Sequence, residues 1–117
     1  MVTGSAALPL LDPYGLDAAC ISVVEPGTDR GRMAAPYESG PVQLLVVGTI
    51  NRIKGHDVLL AALARLTSSD WTLTCAGSLE RDPITASRVR GLAATLGLDA
   101  RVEWRGDLDP DNLRACY

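Results

Sequence analysis

The stretch of this chain best suited to chemistry is Gly48-Thr49-Ile50-Asn51-Arg52-Ile53-Lys54-Gly55, which sets two cations and two glycines just ahead of an apolar-periodic segment that begins near His56. The first N–H groups of a helix lack backbone partners, and the helix dipole leaves partial positive charge there, so such a start attracts anions. Arg52 and Lys54 would add full charges to that site, and Gly55 would let the backbone turn sharply and come close. The chemistry indicated is the holding of a diphosphate. Neither the GxxxxGK-S/T spacing of a Walker A loop nor a G-x-G-x-x-G dinucleotide fingerprint is present. The same residues also suit two solvated loop charges beside a glycine, and the local pattern alone does not choose between the two.

Other reactive side chains carry weaker signals. His56, the sole histidine, reads as a structural residue or a surface neighbour of the phosphate. Asp57 reads as a first-turn carboxylate complementing the helix dipole. Glu80, Arg81 and Asp82 read as a solvated loop, and Trp71 and Trp104, each inside a strand, as packing residues. The three cysteines, Cys20, Cys75 and Cys116, are too far apart for a zinc site. Cys75 sits in an apolar run as a small buried hydrophobe. An odd count with no staple pattern fits a reducing cytoplasm.

The elements that must position this loop follow from periodicity. Gln43 to Val47 is a short apolar run ending at Gly48, the mark of a strand buried on both faces. From His56 to Leu66, the residues Leu59, Leu60, Leu63 and Leu66 recur at helical spacing. Trp71 to Ala76 predicts a second strand ending at Gly77. Ile84 to Leu96 predicts a second helix, stopped by Gly97. Arg101 to Trp104 predicts a third strand, and Asp109-Pro110 an N-cap and first helical residue. Strands alternating with helices run parallel with right-handed crossovers, so the expected class is α/β with a Rossmann-like parallel sheet. Ligands of such sheets bind beyond the carboxyl ends of the strands, where the Gly48–Gly55 loop falls.

Ahead of this lies a different region. Val2-Thr3 reads as the tail of a strand, Ala6 to Tyr14 as a short helical turn interrupted by Pro9 and Pro13, and Cys20 to Val24 as a strand. Residues 26–41 are polar and carry Gly and Pro without period, which predicts a linker. The expected organisation is therefore the end of one domain over 1–25, a linker over 26–41, and the first half of a second domain over 42–117. Composition fits a globular protein, with 47% apolar and 21% charged residues in 117. The net charge of −3 offers no footprint for nucleic acid. No run approaches the ~20 apolar residues of a membrane span, and the N-terminus lacks the basic region of a secretory signal.

Leu44-Leu45-Val46-Val47-Gly48-Thr49-Ile50-Asn51-Arg52-Ile53-Lys54-Gly55-His56-Asp57-Val58-Leu59-Leu60-Ala61-Ala62-Leu63 strongly resembles the opening of the C-terminal domain in retaining GT-B glycosyltransferases of family 4, also called group 1 glycosyltransferases. Other segments follow in the family's order. Val23 to Asp29 resembles its strand and "PNGVD" segment, and Trp71 to Ser78 its second strand and glycine turn. Leu96-Gly97-Leu98 with Arg101-Val102 and Gly106 is similar to its "LGL…RV.F.G" stretch, and Leu113 to Tyr117 to the helix before the sugar-binding strand.

The resemblance implies a partial GT-B architecture and transfer of a sugar, with retention, from a nucleotide diphosphate-sugar to a sugar, lipid or small-molecule acceptor. It assigns donor diphosphate binding to Lys54, the lysine of the family's "KG" pair. An arginine commonly follows the strand glycine in the family; Thr49 stands there, and Arg52 would reach the phosphates from the loop instead. Gly48, Thr49 and Gly55 would shape the phosphate loop through their backbone. No cofactor or metal is implied. The family's acceptor-side histidine belongs to the N-terminal domain and its E-x7-E glutamates would lie past Tyr117, so this stretch alone is not expected to turn over. The full-length protein would be cytoplasmic, with peripheral membrane association as one possibility. A sugar-nucleotide epimerase of the same architecture and a non-catalytic α/β remnant or interaction module remain the competing readings.

Overall fold

In a computed structural model, residues 1–27, 30, 31, 33, 34 and 39–117 are described. The expected linker and the end of the "PNGVD"-like segment fall partly outside them. The chain divides into two units, Met1–Met33 and Ala34–Tyr117.

The second unit is built as strand, helix, strand, helix, strand, helix: β1 (Val42–Val47), α1 (His56–Leu63), β2 (Trp71–Ala76), α2 (Pro83–Thr95), β3 (Val102–Gly106) and α3 (Pro110–Arg114). The strands lie in the order β1-β2-β3, and both pairings are parallel. Register runs from Val42 opposite Trp71 to Val47 opposite Ala76, and from Leu73 opposite Val102 to Cys75 opposite Trp104. The α/β class and the Rossmann-like parallel sheet expected from periodicity are both present.

The core explains why these residues form these elements. Leu60 and Leu63 of α1 and Val89 and Ala93 of α2 cluster with Trp71, Leu73, Cys75 and Val102 of the sheet. Successive crossovers of one hand put both helices on one sheet face, so alternate strand residues point into the same apolar layer. Trp104 and Leu44 pack at the margin of this layer. Both tryptophans are thus packing residues, with Trp71 only 2% exposed. Burial pushes the Cys75 thiol up to about 12, which keeps it protonated and inert.

Several boundaries differ from expectation. The first helix ends at Leu63, and Leu66 lies in a turn beyond it, half exposed. Arg101 is not in the third strand. It closes a short 3-10 turn, Asp99–Arg101, from which its guanidinium reaches back to Trp71. Nε donates to the Trp71 carbonyl at 3.0 Å and a second nitrogen to the Ser69 carbonyl at 2.8 Å, with the guanidinium carbon 4.0 Å above the indole ring. Asp82 is a further correction: instead of a solvated loop residue, it is the N-cap of α2. Its carboxylate accepts from the Thr85 N–H at 3.0 Å, with Pro83 at the first helical position. Asp109 caps α3 in the same manner, as expected.

In the first unit, a 3-10 helix spans Ser5–Tyr14 and tolerates Pro9 and Pro13. The expected strand over Cys20–Val24 shrinks to one parallel bridge, Val2 with Val23, because Ala18–Cys20 is drawn into a second 3-10 turn capped by Asp17. Among the described residues no helix is long and apolar enough to cross a membrane.

Candidate functional site

The loop after β1 is held by continuation of the sheet. The Gly48 N–H donates to the Ala76 carbonyl at 2.8 Å and the Ile50 N–H to the Ser78 carbonyl at 3.0 Å, so β1 and β2 stay laced beyond their ends. The Gly77 N–H in turn donates to the Gly106 carbonyl at 2.7 Å. Ile50, 1% exposed, anchors the loop in the core. A β-carbon on Gly77 would collide with the carbonyl of Gly48 and lie 2.9 Å from the Thr49 nitrogen. The two loops therefore touch through bare backbone, and only glycine at position 77 permits it.

Past Ile50 the chain folds into a compact turn organised by Asn51. Its side-chain oxygen accepts from the Ile53 N–H at 3.1 Å and the Lys54 N–H at 3.2 Å. This is an Asx turn, in which a short amide stands in for a backbone acceptor. Gly55 follows at φ 67°, in the left-handed region, and serves as the N-cap of α1 without a side-chain bond of its own. The Asp57 carboxylate accepts from the Val58 N–H at 3.1 Å, so within the first turn the N–H groups of His56 and Asp57 are the ones left for an outside acceptor.

The turn sends Lys54 back over the strand end. A methyl group added to Gly48 would lie 3.8 Å from both Cδ and Cε of Lys54. The aliphatic stem therefore crosses the carboxyl end of β1, while the residue as a whole stays exposed.

Neighbouring charges frame this arrangement. Asp57, in the first turn of α1, is paired with Arg88 of α2 at 3.1 Å, and the hydrogen bond from Arg88 holds its carboxyl below the usual range. Arg88 thereby offsets the one acid at the helix start. The Thr85 backbone and hydroxyl donors hold the Asp82 carboxyl low, with Arg52 adding attraction. His56 is 3% exposed, and neither ring nitrogen has a partner. Burial lowers its pKa, with Lys54 pushing the same way and Asp57 opposing. Of the two roles expected for it, the structure places it in the interior.

A cavity of about 200 Å³ opens at the carboxyl ends of the strands. Gly48, Thr49, Gly77, Asp107, Leu108 and Leu113 are among the residues that line it. The structure thus brings Gly48, Thr49, Gly55 and Lys54 to one strand end, with Arg52 exposed on the same turn. Sequence reasoning missed Asn51, Gly77, Asp107 and Leu108 as contributors. Asn51 carried a usable signal, an Asx residue three positions ahead of the cation. Asp107 carried none, because it becomes part of the cavity only through the parallel order of β1, β2 and β3. Among the described residues, no group of three or more His, Cys, Asp or Glu side chains is placed to hold a metal ion.

The sequence profile of the family described as Glycosyl transferases group 1 matches residues 41–117. A D-inositol 3-phosphate glycosyltransferase of Corynebacterium efficiens is 32% identical over 85% of this chain. Its counterpart in Salinispora tropica is 30% identical over 98%. The chain spans 25% and 29% of the length of these relatives. Among solved structures, a glycosyltransferase from Rickettsia africae superposes over 97% of this chain and 34% of its own, with a TM-score of 0.78 and 26% identity. The lipopolysaccharide outer core galactosyltransferase WaaB, in its apo form, shares the fold over 96% of this chain and 31% of its own, with a TM-score of 0.68 and 24% identity. The described fold is therefore the parallel α/β arrangement of a partial GT-B structure. With its mouth at the strand ends and a profile match over residues 41–117, the chain belongs to the group 1 glycosyl transferases.

Proposed function

We propose that this chain supplies the diphosphate-binding part of a retaining glycosyltransferase, which moves a sugar from a nucleotide diphosphate-sugar to an acceptor. The observation that carries the reading is the course of Lys54. Its stem lies across Gly48 at the carboxyl end of β1, next to the start of α1, whose N-cap residue Gly55 supplies no side-chain bond. A pyrophosphate seated there would accept from the first N–H groups of α1 and from the ammonium group.

When the bond between sugar and diphosphate breaks, negative charge grows on the leaving oxygens. Lys54 stabilises that charge from a turn already fixed by Asn51, so little reorganisation is needed as the reaction proceeds. Arg52, from the same turn, adds to the field. Gly48 and Gly55 allow the backbone to approach the phosphates. The donor is a substrate, and the reading calls for no further cofactor. Family membership supports retention, and the acceptor is a sugar, lipid or small molecule bound outside this chain's described residues. The free thiols of Cys20, Cys75 and Cys116 suit a cytoplasmic setting, and peripheral contact of the longer protein with a membrane is compatible with it.

The test is release of nucleoside diphosphate from a donor sugar by the protein as its gene encodes it. Changing Lys54 to Ala should cut that rate by about 10²-fold or more, the scale of losing one charge-stabilising group. A wild-type rate in the variant would remove Lys54 from the site.

A further inference from the structure

The ion pair between Asp57 and Arg88 contributes little to the fold itself. Its side chains are 35% and 56% exposed, and pairs that water reaches add little to stability. Its position gives it a larger consequence. Asp57 is the second residue of α1, so its carboxylate is a tethered anion at the helix start where a diphosphate would bind. An acid in the first turn favours the helix and, left free, opposes a second anion at the same place. Both oxygens are engaged instead. Oδ1 accepts from the Val58 N–H at 3.1 Å, and Oδ2 accepts from the Arg88 guanidinium of α2 at 3.1 Å. The carboxylate is thereby held at the third residue of α1 and towards α2, and the N–H groups of His56 and Asp57 are spared. Asp82, a second carboxylate that attracts Arg88, is already taken up by the Thr85 backbone and hydroxyl donors.

We propose that Arg88 is a positioning residue for the donor, because it holds and neutralises Asp57 and so keeps the start of α1 open to a diphosphate. The inference rests on the reading of Lys54 and the α1 start as diphosphate ligands. Arg88 acts through Asp57 and has no contact with phosphate to make. A cation on the neighbouring helix in this way reconciles two demands on one position: an acid that suits the helix, and a helix start that accepts an outside anion.

The test is a double-mutant cycle read by calorimetry with inorganic pyrophosphate, on the protein as its gene encodes it. Low ionic strength keeps the charges unscreened. Arg88→Gln should weaken binding about fivefold, the scale of an uncompensated acid at a helix start. Asp57→Asn should bind as tightly as wild type or tighter. In the Asp57→Asn background, Arg88→Gln should change affinity by less than about twofold, since its partner charge is gone. Arg88→Lys should retain most of the wild-type affinity. Urea denaturation should find both single variants near wild type, so binding is compared in folded protein.

Two results overturn the proposal. If the pair is only a brace between α1 and α2, Asp57→Asn and Arg88→Gln weaken binding alike, because either one breaks it. If Arg88 attracts the diphosphate directly, Arg88→Gln costs as much in the Asp57→Asn background as in wild type. Lys54→Ala separates this proposal from the reading beneath it. Affinity lost in Lys54→Ala with no response to Arg88→Gln sinks the role of Arg88 alone. Failure of pyrophosphate to bind wild type, or binding that Lys54→Ala leaves untouched, sinks the diphosphate reading and the role of Arg88 with it.

Discussion

Gly77 faces the carbonyl of Gly48 so closely that no β-carbon fits between them. Both residues sit at positive φ, 151° and 155°, and each ends a strand of the parallel sheet. The Gly48 peptide that Gly77 accommodates also carries the Lys54 stem. A packing constraint on β2 is in this way transmitted to a cation on the loop after β1.

Gly77→Ala should therefore act at two levels. Relieving the clash must push the two loops apart or force strained backbone, at a cost of about 1–3 kcal/mol in stability. Urea denaturation reads that cost. In protein that remains folded, pyrophosphate affinity should drop as Lys54 shifts off the strand end. Unchanged affinity would mean that the loop holds its shape without the contact.

Asn51→Ala removes the acceptor shared by the Ile53 and Lys54 N–H groups. The turn is exposed, so the stability loss should stay near 1 kcal/mol, as for other short side chains that cap backbone donors. The effect on donor turnover should be larger, because Lys54 loses its fixed approach. Asn51→Asp preserves the acceptor and should recover most of the rate.

Arg101→Lys tests the base of the sheet. The guanidinium bonds two carbonyls and stacks on Trp71 at 4.0 Å, a geometry an ammonium cannot copy. Thermal unfolding should drop in Tm, reflecting about 1–2 kcal/mol. An unchanged Tm would show that positive charge alone secures Ser69 and Trp71.

His56 makes stability depend on pH in a defined direction. Burial lowers its pKa in the folded state, while the unfolded chain titrates near the ordinary value of about 6.5. Between those values the unfolded state binds more protons, so stability falls as pH drops through about 6.5 and levels off below the folded pKa. His56→Leu should flatten that segment of the profile and leave stability at pH ~7.5 equal or higher, since it also removes two orphaned buried nitrogens. His56 is the sole histidine, so a slope that persists in the variant would exclude it as the source.

Periodicity carried the fold well because its signals are local. Leu60 and Leu63, like Val89 and Ala93, repeat at helical spacing and meet the same sheet face. The run Gln43–Val47 lies within β1. Capping was legible at Asp109 and overlooked at Asp82, although both precede a proline and both accept from the first turn. The difference was context: Asp82 follows Glu80 and Arg81, and a run of charges looks like solvated surface. The candidate site was half legible. Lys54 and Gly55 announce themselves beside a helix start. Gly77 looked like an ordinary strand stop, since its close approach to Gly48 is set by the pairing of two strands distant in sequence. Arg101 read as a strand residue because its alternation with Val102 and Glu103 hid a guanidinium that turns back to the preceding strand.

The arrangement of β1 has a practical outcome. Its ladder to β2 uses one side of the strand, and among the described residues no other strand meets its opposite side. Val42 and Val47 stand about half exposed at its two ends. Free peptide groups beside valines form a template for intermolecular pairing. Concentrated samples of this polypeptide on its own should self-associate through that margin, and replacing Val42 with lysine, which disfavours such stacking, should raise the concentration at which it stays monodisperse.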